Sequence, residues 1–142
     1  MSTITKTVRF AQLVLAADKY GISLPDLRVL LRAERTLHRW YEQECGDSNA
    51  YNSWAIERDE TTGIPYRCVY PHNSNNVRRE KIPDREAGAI RRVEEILQRY
   101  PELQAVYQTD PRGCALYLVR KSDVAGLDQA QWSSHGLAIC AE

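Results

Sequence analysis

The chain has 142 residues, 43% apolar and 27% charged, with nineteen Lys and Arg against nineteen Asp and Glu. This composition excludes a disordered chain, a collagen-like chain and a small disulfide scaffold, and the length suits one domain that folds without metal or disulfide. A net charge of zero excludes a whole-chain basic footprint for duplex nucleic acid or an anionic membrane.

Residues 5–19 read as a helix with Val8, Leu13, Val14 and Ala17 along one side, stopped by Tyr20-Gly21. Ser23 is a good N-cap for a second helix, which carries Pro25 in its first turn and Asp26 at its positive end. This helix runs to about Glu44, and its stripe is Leu27, Leu30, Leu31, Leu37 and Tyr41. Ser53–Arg58 and Ile64–Tyr70 flank a Gly-bearing turn and predict a hairpin over 53–70, with Pro65 at a strand entry or edge. Residues 71–76 are a loop by composition. Asp84 is the expected N-cap of a third helix over 84–100, with Ile90, Val93 and Leu97 spaced three and four apart and Pro101 closing it. Leu103–Gln108 and Cys114–Val119 read as strands around the turn Thr109-Asp-Pro-Arg-Gly113, and Gly136–Cys140 reads as a last strand. The expectation is a single domain over 1–142 of α+β class. It has an antiparallel sheet built from two hairpins and a C-terminal strand, packed by three helices.

Chemistry-bearing residues are sparse. The four cysteines form no C-x-x-C pair, and Cys68, Cys114 and Cys140 sit in apolar runs as small hydrophobes do, which suits a reduced, cytoplasmic protein. No stretch has the length and apolarity of a membrane span. His38, Glu42 and Cys45 share a helix but lack a fourth ligand, so no metal and no cofactor are expected. A Walker loop, a Gly-x-Gly-x-x-Gly fingerprint, a nucleophile elbow and H-E-x-x-H are all missing from the sequence, and catalysis has no positive support.

Fifteen of the nineteen cations are Arg, and there are eight Tyr and three Trp against one Phe, a composition suited to nucleotide or partner binding. In the 109–113 turn, Asp110, Pro111 and Gly113 have structural reasons to be there, whereas Arg112 projects from the tip as a candidate clamp for phosphate or carboxylate. His135, before the last strand, is a second candidate anion contact. Residues 42–66 hold six acids and one Arg, whereas 77–99 hold seven cations and five acids. That polarity suits an oriented protein contact.

Several segments together resemble small proteins of phages and prophages. They are Leu37-His-Arg-Trp40 with Glu44-Cys-Gly46, Ile56-Glu-Arg-Asp-Glu60 with Gly63-Ile-Pro65, Ile82-Pro-Asp-Arg-Glu86 with Gly88-Ala89, Tyr107 to Tyr117, and Gly136-Leu-Ala-Ile-Cys140. The strand, Asp-Pro-Arg-Gly turn, strand and short final strand also resemble the phage anti-Thoeris sponges, which sequester cyclic ADP-ribose signals without cleaving them. The resemblance implies a homo-oligomer that captures a cyclic nucleotide immune signal in the host cytoplasm. Arg112, assisted by His135, would clamp phosphate, Asp110 would belong to the same ligand-binding turn, and Tyr107 and Tyr117, flanking that turn, would stack on the base. His135 stands where those proteins have a second arginine. The alternative is an anti-CRISPR-like inhibitor that presents the acidic 42–66 region, with Asp59 and Glu60, to a basic protein surface.

Overall fold

The structure, a computed structural model, describes residues 3–45, 53–70, 76–108 and 114–140. Helix α1 (Thr3–Lys19) ends at Gly21, whose φ of +77° supplies the left-handed turn that closes a helix. Helix α2 (Leu24–Cys45) starts as the sequence predicts: Asp26 N–H donates to Ser23 Oγ at 3.3 Å, and Leu27 N–H donates to the Ser23 carbonyl at 2.9 Å. Its buried stripe is Leu27, Leu30, Ala33, Leu37 and Trp40, with Leu31 and Tyr41 at the margin. Val8 of α1, expected on the apolar side, is exposed.

The first hairpin forms over the expected residues, as β1 (Ser53–Arg58) and β2 (Pro65–Tyr70). Proline opens β2, where a missing N–H costs the ladder least. A third strand, β3 (Arg78–Lys81), pairs antiparallel with β2 and gives a sheet in the order β1-β2-β3. Helix α3 (Asp84–Leu97) is capped by Pro83 and not by Asp84, which instead sits in the first turn, where its charge favours the positive helix end. The helix ends at Leu97, three residues before the predicted end, and packs along α2 with Ile90, Val93 and Ile96 inward.

The second sheet comprises β4 (Leu103–Val106), β5 (Tyr117–Arg120) and β6 (Leu137–Ala138), all antiparallel and in that order. The ladder closes at Val106↔Tyr117, so residues 107–116 span the connection and the 109–113 turn lies outside the described residues. The strands thus divide into two sheets and not the single sheet expected. Among the described residues β1 meets the chain just after β4 at one isolated bridge, Ala55↔Gln108, which Ile56 N–H supports by donating to the Tyr107 carbonyl at 3.0 Å.

Burial on both faces explains the unbroken apolar run at 114–119. Leu116 and Leu118 face the helices, whereas Tyr117 and Val119 face a second cluster with Val124 and Trp132. This second cluster is covered by a short helix α4 (Lys121–Val124) and a 3-10 helix (Gln129–His135), neither foreseen from sequence. Gly136 follows at a close approach, since a Cβ there would lie 2.7 Å from the Leu118 carbonyl oxygen. Among the described residues no helix is long and apolar enough to cross a membrane.

Two polar networks tie the layers together. The buried Asp26 carboxylate accepts from Tyr100 Oη at 2.6 Å and from Arg99 Nη1 at 2.7 Å, joining the start of α2 to the end of α3. The Tyr100 hydroxyl, followed by Arg99 and the Ser23 hydroxyl, holds this acid below the ordinary carboxylate value of 3.8, against the opposing cost of burial. Arg67 of β2 is 2% exposed; its guanidinium stacks over Trp40 of α2 at 4.0 Å and pairs with Glu80 of β3, Nε to Oε1 being 3.0 Å. One cation thereby fastens the first sheet to the helix layer and β3 to β2.

Two outcomes follow. Because folding lowers the pKa of Asp26, its contribution is full above the unfolded value and lost as pH falls through the lower folded one. Asp26→Asn should cost about 1–3 kcal/mol at pH 7, and the gap to wild type in urea midpoint should narrow below about pH 4; a gap independent of pH would contradict this. Arg67→Ala should cost about 3 kcal/mol, because it leaves Glu80 without its partner and Trp40 without its stack. Arg67→Lys should recover part of that loss, since an ammonium keeps the charge but not the planar fork.

Candidate binding cleft at the sheet junction

Beyond the Ala55↔Gln108 bridge, β1 and β4 part, and a cleft of about 820 Å³ opens between them. Its walls come from the two strands, the 59–61 turn, Tyr66, Arg79, Lys121 and the outer side of α3 at Glu94 and Leu97. The strands alternate their side chains, so the cleft is lined from both faces of the sheet. On the helix side lie Ile56, Arg58, Leu103, Ala105 and Tyr107, with Arg58 pairing to Glu94. On the outer side lie Glu57, Tyr66 and Arg79.

The charges are arranged in short chains. Arg58 Nη1 donates to the Gly63 carbonyl at 2.8 Å, which fixes the guanidinium against its own turn. Asp59 Oδ1 accepts from the Thr61 and Thr62 amides at 2.8 and 2.9 Å, an Asx turn. Those amides, Thr62 before Thr61, hold the Asp59 carboxyl below its usual range. Arg79 stacks on Tyr66 at 3.8 Å and approaches Asp59 at 3.7 Å. Glu57 accepts from Tyr66 Oη at 3.3 Å and from Cys68 Sγ at 3.2 Å, and burial followed by this carboxylate pushes the Cys68 thiol up. Glu60 and Lys121 complete the rim, and neither has an ion-pair partner among the described residues.

Tyr107 is the sequence-predicted residue that lines this cleft. It is 9% exposed, and its hydroxyl is buried without a hydrogen-bond partner among the described residues. Burial drives its pKa well above the usual tyrosine value, with the nearby Arg58 charge opposing. Tyr117 lies elsewhere, 1% exposed inside the second cluster, with no ring face free for a base. His135 is exposed at the end of the 3-10 helix. That helix is anchored by Gln108 Nε2 donating to Ser133 Oγ at 2.7 Å. Asp110 and Arg112 lie outside the described residues. The sequence reading missed Arg58, Tyr66, Arg79, Glu94 and Lys121; the charge contrast between residues 42–66 and 77–99 was the one signal for Arg58, Arg79 and Glu94, and Tyr66 and Lys121 had none.

His38 pairs with Glu42 at 3.0 Å, as its i,i+4 spacing foretells, and with the buried Glu34 at 3.8 Å. Among the described residues no group of His, Cys, Asp and Glu is arranged to hold a metal. No family model, curated protein or solved structure matches the chain.

An unpaired buried hydroxyl costs about 1–3 kcal/mol. Tyr107→Phe should therefore leave the free protein as stable as wild type or more so, seen as an unchanged or raised melting temperature. A fall in melting temperature would mean that the hydroxyl has a partner in solution.

Proposed function

We propose that the protein acts by binding rather than by turnover, and that its cleft between β1 and β4 holds part of another protein. One observation carries this reading: two strand edges face each other across an open space whose rim mixes fixed ion pairs with unpaired charges. Edges of this kind attract polypeptide, because their peptide groups need partners. Glu57, Asp59 and Glu60 lie in the acidic stretch that the sequence marks as a protein-facing surface, and they favour a basic partner. With the resemblance to phage proteins, the suggested role is inhibition of a bacterial defence complex.

Capture of a cyclic nucleotide signal is the second reading. Tyr107 favours it, since a buried hydroxyl awaiting a polar atom beside the Arg58 charge suits a small polar ligand. The anti-Thoeris-like arrangement would further require Arg112, Asp110 and His135 to converge on the same ligand at a contact between copies of the chain.

Native mass spectrometry of the protein recovered from bacterial cells separates the two. The expected result is a stoichiometric polypeptide partner whose retention falls as salt rises from about 0.1 to 1 M and falls further in Glu60→Lys. Retention indifferent to both would overturn the acidic-surface reading. A nucleotide-sized mass, released intact by heat, would replace it with the second.

A further inference from the structure

The hydrogen-bond directions along the two facing strands can be read residue by residue. Ile56 N–H points from β1 towards β4 and reaches the Tyr107 carbonyl. Backbone groups repeat their direction every second residue along a strand. The N–H and C=O of Arg58 therefore point into the cleft from β1, as do those of Ala105 and the carbonyl of Leu103 from β4. The intervening residues point the other way: Lys121 N–H donates to the Glu102 carbonyl at 2.8 Å, which places the Glu102, Gln104 and Val106 groups on the β5 side. In a continuous sheet the next bonded pair after Ile56 and Tyr107 would be Arg58 with Ala105. That pair is not formed among the described residues, so peptide donors and acceptors stand on both walls of one cleft.

The side chains around this opening select the occupant. Arg58 is held by Glu94, and Arg79 lies near Asp59. Glu57 receives its hydrogen bonds from a hydroxyl and a thiol, and neither it nor Glu60 has an ion-pair partner among the described residues; Lys121, also without one, offsets one of these charges, so the mouth keeps an excess of one carboxylate. We propose that the cleft accepts a short extended peptide with basic side chains, which adds as a strand to the free edge of β4 at Leu103 and Ala105 and presents its other edge to Arg58. The Ala55↔Gln108 bridge closes one end of the opening and limits the added strand to about three residues, each advancing about 3.3 Å. This inference rests on the cleft being the place of binding, and it adds the mode of contact and the partner's chemistry.

The test uses amide-resolved NMR on the whole chain. In the free protein the Arg58 and Ala105 amides should exchange with solvent much faster than those of Glu57 and Gln104, which lie in ladders. Equal protection would mean that β1 and β4 zip together in solution, and it would overturn the proposal. The probe is the hexapeptide Lys-Val-Lys-Val-Lys-Val, titrated beside its backbone N-methylated form and beside Glu-Val-Glu-Val-Glu-Val. The expected result is that the basic peptide shifts and protects Arg58 and Ala105, that N-methylation weakens it at least tenfold, and that the acidic peptide fails. Ala105→Pro, which removes a donor that the β4–β5 ladder does not use, should weaken binding at least fivefold. Equal binding of the methylated peptide would reduce the contact to charge attraction. No binding of either unmethylated peptide would overturn strand addition, while the protein-partner reading would still be judged by its own salt and Glu60→Lys dependence.

Discussion

Among the described residues, one backbone hydrogen bond between the sheets, from Ile56 N–H to the Tyr107 carbonyl, sets the geometry on which the candidate site depends. It holds two three-stranded sheets together beside the Ala55↔Gln108 bridge, and on the cleft side of that point the strands diverge. With the ladder continued, the strands would form one six-stranded sheet and the cleft would be filled by main-chain pairs. With the bond removed, the described residues would offer no other main-chain hydrogen bond between the two sheets. The helices support the same arrangement from below, since α3 offers Glu94 to β1 through Arg58 and packs its Leu97 near the β4 edge.

Holding a sheet open requires each half to be anchored independently. The first half is anchored by Arg67, whose guanidinium lies between Trp40 and Glu80. A buried charge is tolerated there because it has both an aromatic face and a carboxylate, and its planar shape suits that narrow space. The second half is anchored by apolar packing on both faces, with Leu118 towards the helices and Tyr117 and Val119 beneath the 3-10 helix. At the far end Arg120 stacks on Tyr20 at 4.1 Å and donates to the Lys19 carbonyl at 2.8 Å, which joins β5 to the end of α1.

The local part of this fold was legible in the sequence. Three-and-four spacing in α2 and α3, Ser23 as a cap, Gly21 as a stop and the turn at 59–63 depend on near neighbours, and the elements formed where those signals lie. What was not legible depends on residues far apart in the chain. Arg78-Arg-Glu-Lys81 carries no apolar alternation; it is a strand because β2 has an edge to offer, and its charges suit an outer position. The division into two sheets turns on the meeting of Ala55 with Gln108, and no local pattern encodes that register. The resemblance makes Tyr107 a ring to stack on a base, yet its distinguishing feature in the fold is a buried hydroxyl. Tyr117 lies on the other side of the same turn in sequence, but strand alternation turns it into the second cluster.

The Asp26–Tyr100 contact has a bearing on how the chain reaches this state. Its partners are separated by 74 positions, and the bridge between Ala55 and Gln108 also spans a large part of the sequence. Helices α1 and α2 can form from local contacts soon after synthesis, but the lock at the head of α2 cannot close until Tyr100 has been made, and the junction of the sheets must wait for Tyr107 and Gln108, just after β4. Until then the edge of β1 is open along its whole length, and nascent chains near one another are exposed to intermolecular strand pairing. The order of assembly thus makes the stretch from β1 to β4 the window in which this protein is most vulnerable to misassociation.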